Sequence, residues 1–164
     1  MKRRCVFLDR DGVINAAPGT GEYVRDWDEF RLLAGVPDWI RLFNALGFLV
    51  IVVTNQRGVA LGVMEATAVE DIHRRMREDL AAKGARIDDV FYCPHEEGAC
   101  ECRKPRCGMI DQACRKWDID LGGSALIGDS DVDAELAARC GVTFIRVREG
   151  TIVEVTAAVR PLPG

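Results

Sequence analysis

Leu49-Val50-Ile51-Val52-Val53, followed at once by Thr54-Asn55-Gln56, is an apolar, mainly β-branched run with no apolar–polar alternation. A half-exposed strand alternates; one covered on both faces does not, so this run reads as a buried strand of a parallel sheet. The same theme repeats outward from it. Cys5-Val6-Phe7-Leu8 stops at Asp9-Arg10-Asp11-Gly12, and Val90-Phe91-Tyr92 runs into a cysteine-rich loop. Ala125-Leu126-Ile127 stops at Gly128-Asp129, and Thr143-Phe144-Ile145-Arg146-Val147 is a fifth candidate strand. Helical patterns lie between them. Val36 to Leu46 places Val36, Trp39, Ile40, Phe43 and Leu46 on one face of a 3.6-residue period. Glu65 to Lys83 is longer and more charged, with Gly84 as its stop; Gly108 to Trp117 and Asp131 to Cys140 complete the set. Strands alternating with helices imply an α/β fold: a Rossmann-like parallel sheet with helices on both faces.

The chain has 164 residues, 48% of them apolar and 29% charged, which suits one domain over 1–164 with a sizeable core. Only Pro161-Leu162-Pro163-Gly164 reads as a tail. With a net charge of −4, a broad basic surface for nucleic acid is not expected. The most apolar run, Phe48 to Val53, falls far short of the roughly 20 residues that cross a bilayer. Basic residues open the chain, but Cys5 to Leu8 is too short for the apolar part of a signal peptide, so a cytoplasmic protein is expected. Neither dinucleotide-binding nor P-loop glycine patterns occur. Trp27, Trp39 and Trp117 are read as packing residues, His73 as ordinary helix surface, and Cys5 and Cys140 as small buried apolar residues.

Function in such a sheet sits at the carboxyl ends of the strands. Asp9 and Asp11 follow the first strand: one carboxylate can attack phosphorus and the other can exchange a proton with the leaving oxygen and with water. Asp-x-Asp-Gly also opens calcium loops and plain turns. Thr54, Asn55 and Gln56 offer a hydroxyl and amides to phosphoryl oxygens, or simply end their strand. Asp129 is the first of several carboxylates after the fourth strand and a natural Mg²⁺ ligand; Asp131 is read as a helix cap, and Asp133 as a cap or an indirect ligand. Lys104 supplies a cation for a dianionic phosphate. Cys93, His95, Cys100 and Cys102 form a Cys₃His set that zinc takes tetrahedrally as a closed structural site, with a loop disulfide or reactive thiols as the other readings.

Together, Asp9-Arg10-Asp11, Thr54, Lys104 and Gly128-Asp129 with Asp133 resemble, in order, the four motifs of the haloacid dehalogenase (HAD) superfamily of phosphohydrolases. The resemblance implies that Asp9 is the nucleophile, Asp11 the general acid/base, Thr54 a phosphoryl ligand and Lys104 the partner of nucleophile and phosphate. It further implies Mg²⁺ held by Asp9, the backbone carbonyl of Asp11, and Asp129. The cysteine loop (93–102), with Arg103 and Lys104 after it, is similar to one branch without a large cap domain: the heptose 1,7-bisphosphate and histidinol-phosphate phosphatases. Phe7 to Asn15, Val52 to Gln56 and Tyr92 to His95 resemble the heptose enzymes in particular. Removal of the 7-phosphate from heptose 1,7-bisphosphate, within nucleotide-activated heptose biosynthesis, is therefore expected. Tyr23, Asn55, Gln56, Arg57 and Arg103 are the expected substrate-binding residues. Ser130 stands where heptose enzymes usually carry a lysine, a charge that Arg57 is expected to replace. The zinc loop, short by the standard of heptose enzymes, is nearer the histidinol-phosphate group, the second reading; a non-catalytic zinc-organised binding module is a remote third. The expected partner is a small phosphorylated sugar, with neither nucleic acid nor membrane, and the expected state is a monomer.

Overall fold

A computed structural model describes residues 1–157, so the tail expected at Pro161–Gly164 lies outside the described residues. The strands β1 (Cys5–Leu8), β2 (Leu49–Asn55), β3 (Asp89–Cys93), β4 (Ala125–Gly128) and β5 (Thr143–Arg148) pair in parallel. A sixth, β6 (Thr151–Thr156), adds antiparallel to β5, and the order is β3-β2-β1-β4-β5-β6. The helices are α1 (Val36–Ala45), α2 (Ala66–Ala82), α3 (Gly108–Lys116) and α4 (Asp131–Cys140).

The period of two along β1 and β2 divides the core. Val6, Leu8, Val50 and Val52 face Val36 and Ile40 of α1 and Ile72, Met76 and Leu80 of α2. Cys5, Phe7, Leu49, Ile51 and Val53 face Met109, Ile110 and Ala113 of α3 and Leu136 and Ala137 of α4. Each face thus carries a helix pair, which is why β2 is apolar at every position from Leu49 to Val53. Trp27, Trp39 and Trp117 pack at the edges of these cores.

Three readings are corrected here. The sheet is mixed, because an unexpected β6 pairs antiparallel with β5: Glu149 and Gly150, both at positive φ (49° and 79°), form the two-residue turn that folds it back. Leu46 lies beyond the end of α1 and is 56% exposed, so it does not extend the apolar face. Cys140 is half-buried and joined to Cys107 in a disulfide, because α3 and α4 lie on one face of the sheet and bring these ends together. Among the described residues, no helix is long and apolar enough to cross a membrane.

Candidate active site

Strand order reverses at β1, whose neighbours β2 and β4 lead the chain away in opposite directions, and a crevice opens at the carboxyl ends there. The Asp9 backbone N–H donates to the Ile127 carbonyl at 3.0 Å, extending the β1–β4 ladder to the residue that leaves it. A cavity of about 200 Å³ lies above, lined by Asp9, Asp11, Thr54, Asn55, Lys104, Ser130 and Val132. Asp9, Asp11, Thr54, Asn55 and Lys104 are thus brought together from three separate stretches of chain.

Lys104 is buried, and its Nζ lies 3.0 Å from Asp9 Oδ1 and 2.7 Å from Asp133 Oδ1. Burial alone would lower its pKa; the two carboxylates raise it above the ordinary lysine value, so the cation persists. Asn55 holds the lysine's backbone in both directions. Its Oδ1 accepts from the Lys104 N–H at 3.0 Å and its Nδ2 donates to the Lys104 carbonyl at 3.3 Å. The role this gives Asn55 is to place the lysine, as well as to line the cavity.

Asp9, Asp129 and Asp133 bring carboxylate oxygens within 4.8 Å of one another. Burial pushes Asp9 up to about 8, against the pull of Lys104 and with the push of Asp133. Burial, followed by Asp133, also raises Asp129. With Asp11, four carboxylates face two buried cations, Lys104 and Arg10, an excess of negative charge that suits a divalent cation. Hard oxygen donors of this kind fit Mg²⁺. Two glycines make the approach possible. A Cβ on Gly12, whose φ is +84°, would stand 2.0 Å from Asp129 Oδ2, and one on Gly128 would stand 2.4 Å from Asp133 Cβ. Asp133 was singled out in the sequence but left open between cap and indirect ligand. The structure puts it in the carboxylate group and gives the α4 cap to Ser130, whose Oγ accepts from the Asp133 N–H; Asp131, read as the cap, pairs instead with Arg146 at 2.8 Å.

Asp11 does not contribute its side chain to that group. Its Oδ1 accepts from Arg10 Nε and Nη2 and from Asn15 Nδ2, at 3.1, 2.9 and 2.9 Å. Its Oδ2 meets Gln56 Nε2 at 3.3 Å, and that same amide nitrogen donates to Thr54 Oγ1 at 3.0 Å. His73 is a correction. It is buried rather than on the surface, with Nε2 3.1 Å from Arg10 Nη1, and burial and the Arg10 charge push its pKa down to about 3. The signal was present: His73 falls in register with Val69, Met76 and Leu80, the face of α2 that packs inward.

Cys93 ends β3, and Cys100, Cys102 and His95 close around it. Cys93 Sγ lies 3.0 Å from Cys102 Sγ and 3.5 Å from Cys100 Sγ, and His95 Nδ1 lies 3.3 Å from Cys102 Sγ. Ligands around tetrahedral zinc are spaced by roughly 3.6–3.8 Å, given bonds of about 2.0–2.3 Å, so a small expansion fits the ion. The Arg103 N–H donates to Cys100 Sγ at 3.4 Å; although burial opposes it, that bond and the neighbouring thiols draw Cys100 down to about 6. This donor set could hold zinc.

The other expected substrate residues stand outside the small cavity. Arg57 is in an exposed ion pair with Glu96 at 3.0 Å and does not line the small cavity. The Arg103 guanidinium reaches the His95 carbonyl at 3.5 Å. Tyr23 lies beside Gly58, bringing the loops after β1 and β2 together, and lines a separate cavity of about 580 Å³ with Arg25, Arg31 and Val63. Gln56 is buried beneath Asp11.

Comparison with known proteins agrees with this geometry. Residues 101–160 match the HAD-hydrolase-like family. The chain is 42% identical over 162 residues (94% of this chain, 88% of the relative) to the D-glycero-beta-D-manno-heptose-1,7-bisphosphate 7-phosphatase of Rhodopseudomonas palustris. It is 44% identical over 135 residues (81% of this chain, 70% of the relative) to the D-glycero-alpha-D-manno-heptose-1,7-bisphosphate 7-phosphatase of Mycobacterium tuberculosis. Among solved structures, the D,D-heptose 1,7-bisphosphate phosphatase of B. bronchiseptica, complexed with magnesium and phosphate, superposes with a TM-score of 0.82. That match has 35% identity and covers 90% of this chain and 83% of the other.

Proposed function

The chain belongs to the HAD-like phosphatases, in the family of the D-glycero-D-manno-heptose 1,7-bisphosphate 7-phosphatases, and from this premise we propose that it removes the 7-phosphate of such a heptose through a phosphorylated Asp9. The observation that carries the reading is Lys104, buried and bonded to Asp9 at a cavity that Asp11 and Thr54 also line. Lys104 orients the Asp9 carboxylate, whose oxygen bonds to phosphorus as the bond from phosphorus to the sugar oxygen breaks. Asp11 gives its proton to that departing oxygen, then takes one from the water that attacks the aspartyl phosphate, releasing inorganic phosphate and restoring Asp9. Thr54 and the Lys104 ammonium hold phosphoryl oxygens. Asp9, Asp129 and the Asp11 backbone carbonyl, with Asp133 beside them, would hold Mg²⁺, which when bound offsets the repulsion between carboxylates and phosphate. Zinc on Cys93, His95, Cys100 and Cys102 would fix the loop that leads into Lys104. The setting proposed is a cytoplasmic monomer, with Arg103 and Tyr23 at the substrate entrance.

Its test is kcat/KM with Mg²⁺ on each anomer of D-glycero-D-manno-heptose 1,7-bisphosphate and on histidinol phosphate, since relatives act on both anomers. The expected preference for a heptose anomer is about tenfold or more, or roughly 1.4 kcal/mol of transition-state discrimination. A preference for histidinol phosphate overturns the substrate assignment.

A further inference from the structure

Arg10 is fully buried; its backbone N–H donates to Asp9 Oδ1 at 2.7 Å, but its guanidinium is directed away from the nucleophile. Its guanidinium reaches three partners: Asp11 Oδ1 through Nε and Nη2, Gln56 Oε1 through Nη2 at 3.4 Å, and His73 Nε2 through Nη1. Arginine has only donors, so His73 Nε2 must be the acceptor and the imidazole neutral, with its proton on Nδ1. Burial and Arg10 itself favour that neutral form. His73 is held in turn on α2, its ring edge-on to Tyr92 with centroids 5.6 Å apart.

The effect on Asp11 is asymmetric. Oδ1 takes three N–H donors, two from Arg10 and one from Asn15, whereas Oδ2 has the single long contact from Gln56. A carboxyl group so bound keeps its anionic acceptor on Oδ1 and carries its exchangeable proton on Oδ2. We propose that Arg10 and His73 form a positioning pair that fixes Asp11 so that Oδ2 exchanges its proton with the leaving oxygen. The inference rests on the reading of Asp11 as general acid. His73 touches no reacting atom and acts only through Arg10. Without it, a buried guanidinium N–H loses its acceptor, and the guanidinium turns to find another.

The test compares kcat/KM on heptose 1,7-bisphosphate, whose alkoxide must be protonated to leave, with that on 2,4-dinitrophenyl phosphate, whose phenolate leaves without a proton. This quantity reports only the steps through leaving-group departure. Asp11→Asn sets the reference: loss on the sugar phosphate at least about tenfold greater than on the aryl phosphate. His73→Leu and Arg10→Met are expected to show the same selective loss. His73→Gln, whose amide oxygen accepts from Arg10, is expected to restore the ratio of the two substrates to within about threefold of wild type. Equal losses on both substrates in His73→Leu mean a packing role alone and overturn the pair, even should Arg10→Met fail to fold. Selective loss in Asp11→Asn but not in His73→Leu overturns the pair while Asp11 keeps its role; no selectivity in Asp11→Asn overturns both.

Discussion

At the scale of single residues, the proposed mechanism makes turnover depend on Asp9. Asp9→Asn removes the charge that attacks phosphorus but keeps the shape, so activity should fall roughly 10⁴-fold or more with the fold intact. Phosphate release and circular dichroism measure the two halves of that statement; substantial activity in a clean preparation removes Asp9 from the nucleophile's place. The residues next to strand ends were legible in the sequence, because position after a buried apolar run is itself the signal. Asp9, Asp11, Thr54 and Asp129 were found that way. Arg10, Asn55 and Asp133 were not given their places, because their meaning depends on what faces them across the fold. Asn55 serves the backbone of a lysine 49 residues away, a relation no local pattern encodes.

At the scale of elements, the five parallel strands and four helices were readable from periodicity, and β6 was not. Its Glu-Gly turn lacks the usual Asn-Gly or Asp-Gly signal, and all six of its residues are exposed, so no buried face marks it. The zinc loop and α2 each carry a prediction. Cys100→Ser should lower zinc content and stability, with a fall of several degrees in Tm and a smaller change in the chemical step at saturating Mg²⁺. Metal analysis with thermal melts checks this, and a zinc-free wild-type protein with unchanged melting would falsify it. The pH prediction belongs to α2. His73 binds its proton near 6.5 when unfolded and only near 3 when folded, so the unfolded chain takes up more protons between those values. Stability contributed by neutral His73 is therefore complete above pH 6.5 and declines as pH falls toward 3, by about 2 kcal/mol at pH 5. Urea melts at pH 7 and pH 5 should show that decline in the wild type and a shallower one in His73→Gln; equal slopes would count against it.

At the scale of the whole molecule, the site is a meeting of distant segments. Asp9 follows the first strand, Thr54 lies near the end of the second, Lys104 in the loop after the third, Asp129 just after the fourth and Asp133 in the first turn of the last helix. The strand made first is also the central one, and one of its two neighbours, β4, is not reached until Ala125. Biosynthesis therefore passes through a long interval in which β1 has been made but one of its edges has no partner. An unpaired apolar edge is a template for wrong pairing, so a nascent chain stalled before Ala125 is where aggregation should concentrate. Catalysis, by the same geometry, switches on late and all at once: until the residues through Asp133 have left the ribosome, the lysine that holds Asp9 has only half of its anchorage.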